Sequence, residues 1–308
     1  MIAVFAPGSV SNVACGFDVL GFALDEPGDV VIAAAQSESG ASIAAIHGDG
    51  GRLSLDPRRN TASAAVIALL QRLETTRGIS LTIHKGVPLA SGVGSSGASA
   101  VAAVVAANEV LGRPAPMDML LECAMEGEQA GCGAIHPDNV SPSLFGGFVL
   151  ARSAQPPDIV RLPVPAGLAC AVLHPHIEVE TGAARKLLGD RVLLRDATRQ
   201  WANVGGLVAA LYSNDLGLLS RSLVDSIAEP KRASLVPGLA AVKSAAIGAG
   251  ALGGSLSGSG PSIFALAPSM EIAQAAGAAM KRAFDAGSNA GSDLWVCPVG
   301  RQGARVIK

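Results

Sequence analysis

The stretch of this chain with the clearest chemical capability is Pro88-Leu89-Ala90-Ser91-Gly92-Val93-Gly94-Ser95-Ser96-Gly97-Ala98. Its glycines let the backbone turn tightly and approach a ligand, and the unpaired N–H groups at the start of the helix that follows, reinforced by the helix dipole, favour a phosphate. Ser95 and Ser96 add two hydroxyls at the same helix mouth. Taken alone, the pattern also suits a plain glycine-rich turn with a serine cap. Gly92 to Gly97 fits GxGxxG literally, but a dinucleotide fold also requires a second parallel strand ending in an acidic residue about 20 residues on. Here Arg113 to Pro116 and another helix follow instead. The GxxxxGK[ST] phosphate loop is excluded because the chain has no Gly-Lys pair. His174-Pro175-His176 lacks the further ligands of a metal site. Cys15, Cys123, Cys132, Cys170 and Cys297 are scattered without a CxxC pair, which predicts buried reduced thiols in the cytosol.

The elements that must position this loop follow from periodicity. Short β-branched runs predict strands at Ile2 to Ala6, Asp29 to Ala35, Ser42 to Ile46 and Ser80 to Lys85, with a helix over Asn60 to Arg77 between them. A second helix runs from the glycine loop to near Gly112, and a third from Pro116 to about Ala130. A loop, Gly131 to Pro142, then leads to a strand at Gly147 to Ala151. Residues Ser153 to Pro165 hold four prolines, the composition shift of a domain boundary, so domains are expected at 1–155 and 156–308. The second part reads as a strand at Ala169 to Leu173, helices from Thr181, near Arg195 to Ser213 and at Asp215 to Ser222, and a helix ending near Gly250. A hairpin, Gly253 to Leu256 with Ser262 to Ala267, a helix at Met270 to Ala286 and a strand at Leu294 to Val299 complete an α+β pattern.

Composition bounds the function. The chain has 308 residues, 49% of them hydrophobic, with a mean hydropathy of +0.41, which is ample for a buried core and incompatible with disorder. Charged residues make up 16% and nearly cancel, 23 basic against 25 acidic, so no broad basic field is present to hold nucleic acid. Aromatics at 3% also argue against stacking platforms for bases. The N-terminus lacks a signal peptide's basic and apolar regions, and Ala98 to Leu111 is too short for a bilayer, so a cytoplasmic protein with a small polar ligand is expected.

Pro88 to Ala98 resembles the central motif of the GHMP small-molecule kinases, with Val93 in place of Leu and an extra Gly97. Gly253 to Ser262 is similar to their C-terminal glycine motif, a second loop that closes over the site. Within that superfamily four segments resemble the homoserine kinase branch. They are Ser11 to Gly21, with Ala14 departing from the usual Gly; Glu128 with His136-Pro137-Asp138-Asn139; Thr181 to Arg185; and Glu229 to Arg232 closed by Pro237-Gly238.

The resemblance implies a two-domain GHMP kinase fold, with an N-terminal domain like ribosomal protein S5 domain 2 and a C-terminal ferredoxin-like α/β sandwich. It implies ATP- and Mg²⁺-dependent phosphorylation of L-homoserine to O-phospho-L-homoserine in threonine biosynthesis, and it allows a homodimer. Another GHMP alcohol kinase, or a regulator on this scaffold without catalysis, are the alternatives. By resemblance Ser96 and Glu128 serve the metal, and Asn60 and Lys85 border the adenine. Pro88, Ser91, Gly92, Val93, Gly94, Ser95, Ser96, Gly97 and Gly258 form the nucleotide loops. Homoserine carries both charges, so Arg185 and Arg232 suit its carboxylate, Asp18 or Asp138 its ammonium, and Asn12 and Asn139 its hydroxyl, with His136 on substrate or bracing the loop. Orientation by Asn139 and charge stabilisation are expected to replace a strong base, unless Asp138 lies within reach of the alcohol. Domain closure is expected to carry the two arginines to the phosphate loop.

Overall fold

A computed structural model describes residues 1–307, apart from the side chain of Cys132. The elements run β1 (Ile2–Ser11), β2 (Leu20–Gln36), β3 (Gly40–His47), α1 (Thr61–Arg72), β4 (Gly78–His84), α2 (Ser95–Leu111), α3 (Met117–Cys132), α4 (Pro137–Phe145), β5 (Phe148–Ala154) and β6 (Pro157–Leu162). They continue as β7 (Ala169–Pro175), α5 (Thr181–Lys186), α6 (Leu194–Ser213), α7 (Leu216–Ser222), α8 (Ala228–Arg232), α9 (Leu239–Gly248), β8 (Gly253–Leu256), β9 (Ile263–Ala267), α10 (Met270–Gly287), β10 (Ser292–Pro298) and β11 (Arg305–Ile307).

Two sheets organise these elements. The first has the order β11-β1-β2-β4-β3, with β5 on β2 and β6 on β5; the second is the antiparallel β10-β7-β9-β8. One face of the first sheet carries α1, α2 and α3. Helix α2 is apolar on every side, and eleven of its residues are buried, from Gly97 to Asn108. Its alanines let α1, α3 and the sheet approach together, which is how an all-round apolar helix is accommodated in a soluble core. Strand β7 alternates: Ala171 and Leu173 face α9 and α10, while Cys170 and Val172 join a second cluster with α6, α7 and the first sheet. The Phe22 ring lies 4.9 Å from Phe148 in a tilted pair and 5.8 Å from Phe264 in an edge-to-face pair, so this second cluster spans both sheets. Among the described residues no helix is long and apolar enough to cross a membrane.

Four features differ from the sequence expectation. Strands β1 and β2 are longer than predicted because Pro7 lies opposite Gly28 at a register shift, so two turn-like pairs form an irregularity inside one ladder. Helix α1 stops at Arg72 rather than Arg77, where Leu73 caps it and Glu74 adopts a left-handed φ of 48°. The predicted loop up to Pro142 is instead helix α4: Pro137 opens it, and Pro142, inside it, leaves the Asp138 carbonyl without its usual donor. Only glycine fits opposite, since a Cβ on Gly21 would lie 1.8 Å from that carbonyl oxygen. The proline-rich stretch across residue 155 is the hairpin β5–β6, so the change of sheet falls after Leu162, and β11 returns to the first sheet.

Candidate active site

The loop between β4 and α2 is shaped by its own hydroxyls. Ser91 Oγ donates to the Pro88 carbonyl (2.7 Å), Ser95 Oγ to that of Val87 (2.9 Å), and the Ser9 N–H to that of Val93 (3.1 Å). Gly94 caps α2 with a left-handed φ of 71°, and a Cβ there would meet Ser9 Oγ at 2.2 Å. As the cap it supplies no side-chain acceptor, which leaves the first-turn N–H groups of α2 for an anion. Ser91, Gly94 and Ser95 border a cavity of about 620 Å³.

The loop between β8 and β9 packs onto this cradle from the second sheet. Ser257 Oγ donates to the Gly92 carbonyl (2.7 Å) and Ser262 N–H to that of Ser91 (3.2 Å). Gly258 joins both halves: its N–H donates to the Ser11 carbonyl (3.2 Å), and its own carbonyl accepts from Asn12 Nδ2 (2.7 Å) and Arg232 Nη1 (3.2 Å).

Acidic groups line the next wall. Glu128, on α3 and 2% exposed, accepts from Ser96 Oγ (2.9 Å) and from the His136 N–H (2.9 Å). Its hydrogen bond holds the His136 imidazole above the usual histidine range, against the opposing effect of burial. Asp138, in the first turn of α4, accepts from the Asn12 N–H (3.2 Å); burial first, then the charge of Asp18, push its carboxyl up to about 7. Asn139 Oδ1 accepts from Ser9 Oγ (3.3 Å), which sets its carboxamide beside Gly94.

At the far end Arg185 makes a two-pronged pair with Asp18, Nη2 to Oδ2 at 2.5 Å and Nη1 to Oδ1 at 3.3 Å. Both guanidinium groups stand over Phe17, at 5.6 Å for Arg185 and 5.1 Å for Arg232. Arg232 is buried, and that burial lowers its pKa from the usual arginine value.

Of the sequence-predicted residues, the cavity wall includes Asn12, Asp18, Asn60, Lys85, Ser91, Gly92, Gly94, Ser95, Ser96, Glu128, His136, Asp138, Asn139, Arg185, Arg232 and Gly258. Pro88, Val93 and Gly97 do not border it: Val93 is fully buried in the shared cluster, and Gly97 packs on Val140 with room for a Cβ. The arginines already share the cavity with the loop, so no closure is needed to bring them there. Asn60 caps α1 by accepting from the Ala62 N–H (3.0 Å), and the Lys85 ammonium turns to Asp29. Sequence reasoning missed Ser9, Asp29 and Ser99. Asp29 had a signal, a carboxylate opening the apolar run Val30-Val31-Ile32.

Comparison with known proteins places the chain in a family. The GHMP kinases N terminal domain matches residues 60–147, and the GHMP kinases C terminal domain matches residues 207–286. The homoserine kinase of Chlorobium phaeovibrioides is 52% identical over 314 residues, covering 98% of each chain. That of Chloroherpeton thalassium is 50% identical, again covering 98% of each. A crystal structure of homoserine kinase from Cytophaga hutchinsonii superposes with a TM-score of 0.97 at 53% identity, covering 99% of this chain and 97% of that one. The chain belongs to the homoserine kinase family of the GHMP kinases, and its two-sheet α+β architecture is the GHMP kinase fold.

Proposed function

We infer that this chain transfers the γ-phosphoryl group of ATP to the hydroxyl of L-homoserine, giving O-phospho-L-homoserine, a step toward threonine. The observation that carries the reading is one cavity with an uncapped helix start at one end and an Asp18–Arg185 pair at the other. The ATP phosphates lie on the N–H groups of the α2 start, framed by Ser91, Gly92, Gly94, Ser95, Ser96 and Gly258. Asn60 and Lys85 border the adenine end of the same wall.

An amino acid zwitterion exchanges partners with the ion pair. Its carboxylate takes the forks of Arg185 and Arg232, and its ammonium takes Asp18 and Asp138. The exchange is cheap because both members of the pair are partly exposed, 55% for Arg185 and 36% for Asp18, and such bridges are weak. Asn139, fixed through Ser9, and Asn12 orient the hydroxyl toward the phosphate end. Asp138 serves the ammonium rather than the hydroxyl proton, and His136 braces Glu128 through its backbone N–H.

Ser96 and Glu128 fit Mg²⁺: a hydroxyl and a buried carboxylate 2.9 Å apart are the hard oxygen donors that this ion takes alongside phosphates. When bound there it neutralises charge developing on the transferred group. The Ser96 hydroxyl donates a hydrogen bond to Glu128, which keeps the carboxylate satisfied. A cytoplasmic enzyme that binds no nucleic acid fits the near-balanced charge. Assembly as a homodimer fits the exposed Trp201 and Tyr212 on α6, opposite its buried Leu207 and Leu211, and sedimentation would read it directly. The activity itself is tested by phosphorus NMR of the product from ATP and L-homoserine. A phosphate ester on the side-chain oxygen is expected; free phosphate alone would overturn the reading.

A further inference from the structure

Beneath the phosphate loop lies a buried ion pair that touches none of the groups assigned to homoserine. Asp29, on β2, is fully buried, and the Lys85 side chain is 2% exposed. Asp29 Oδ1 accepts from the N–H groups of Gly86 and Val87, both at 3.0 Å. Its Oδ2 accepts from Ser99 Oγ (2.6 Å) and pairs with Lys85 Nζ. That ammonium donates in turn to Ser99 Oγ (2.8 Å) and to the Ser95 carbonyl (2.8 Å) in the first turn of α2.

A buried pair of this kind is weak evidence for stability, because well-packed apolar residues of similar size often serve as well or better. What distinguishes this one is where its bonds go. One carboxylate holds the incoming stem of the loop at residues 86–87, and one ammonium holds the outgoing helix at residues 95 and 99. The loop is therefore clamped at both ends to β2. Its amides can be preset for a polyphosphate only if the two ends stay in register, and misplacements near 1 Å cost catalysis heavily.

We propose that Asp29 is a positioning residue for the phosphoryl donor, acting through Lys85 and Ser99 to fix the start of α2. The proposal rests on the reading that ATP phosphates lie at that helix start. In Asp29→Asn, which keeps shape and loses the charge facing Lys85, the KM for ATP rises about tenfold or more while that for homoserine changes less than about twofold. Hydrogen exchange at amides 95–99 of the ligand-free protein accelerates. Ser99→Ala keeps the ion pair and the tie to the Ser95 carbonyl but cuts both hydrogen bonds at Ser99 Oγ, so it folds and raises the ATP KM several-fold, about threefold. Unchanged ATP KM in Ser99→Ala, or equal rises in both KM values in either variant, overturns the proposal. ATP should slow exchange at amides 92–98 of the parent. Protection there with a normal ATP KM in both variants rejects the positioning role alone, and no protection rejects the phosphate site along with it.

Discussion

The two ends of the cavity are built by opposite means. The phosphate end is backbone: a loop tied by Ser91 and Ser95 hydroxyls and the start of a helix whose buried residues run from Gly97 to Asn108. The acceptor end is side chain: Arg185 sits on α5, which buries only Ala184, and Leu188 is the one buried residue between 185 and 195. Segments with few buried contacts open at low free energy, whereas dense cores open only with the whole domain. On the proposed assignment the donor site is thus preset, and the acceptor site is held by the Asp18–Arg185 ion pair that its ligand would replace. On the same assignment, specificity for the acceptor rests on charge and ATP binding rests on shape.

The comparison can be broken first at the wall that both ends share. Glu128→Gln should lower kcat by roughly 10²- to 10³-fold, the scale for removing one group that stabilises transition-state charge, with the melting temperature nearly unchanged. Near-parental kcat at saturating Mg²⁺ would remove Glu128 from the metal site. At the acceptor end, Arg185→Ala and Arg232→Ala should each weaken homoserine use by about 1.5 to 3 kcal/mol, the range for hydrogen bonds to charged groups. The corresponding amino alcohol, which lacks the carboxylate, should be a poor substrate already and should suffer little from either change. Arg232→Ala should also lower thermal stability, because it alone of the two is buried on the Gly258 carbonyl. A loss falling mainly on the KM for ATP would place the arginines on the nucleotide.

Asp138 gives a smaller, pH-dependent effect. Its carboxyl is raised to about 7, so the folded protein keeps a proton there that the unfolded chain loses near its ordinary value of 3.8. Between those values the folded state binds the extra proton, and this group's contribution to stability falls as pH rises. An ammonium needs the ionised form, so the KM for homoserine should fall from pH 6 to 8 by up to about tenfold per unit below pH 7, with proton release on binding. Asp138→Asn should flatten that profile; an unchanged slope would assign it to another group. The smallest effect concerns the thiols. Cys15, Cys123, Cys170 and Cys297 are buried and unpaired, and burial pushes Cys15 up to about 12 and Cys123 to about 11. Reductant should leave activity unchanged, and alkylation of native protein should not reach these four.

Most of this arrangement was legible because it is written in local patterns. The glycine loop and the Ala-rich α2 are short-range signals, and the paired motifs pointed to one family. What was not legible depends on partners far apart in the chain. Pro137 and Pro142 read as loop, yet Pro137 suits a first helical turn, and Gly21 alone makes room beside the carbonyl that Pro142 leaves bare. Asp29 and Lys85 are 56 residues apart, so nothing local reveals that they meet under the phosphate loop. The same holds for Gly258, whose carbonyl collects donors from Asn12 and Arg232.

The central claim, that a preset phosphate site faces a site selective for a zwitterionic alcohol, is tested most directly by ADP release across acceptors. L-homoserine, mevalonate, galactose and no acceptor would be compared at equal enzyme and saturating ATP with Mg²⁺. Rapid release with L-homoserine alone, at least about 100-fold above the others, is the predicted result, since neither mevalonate nor galactose carries an ammonium for Asp18 and Asp138. Comparable release with mevalonate or galactose, or none with any acceptor while ATP still binds, would contradict it.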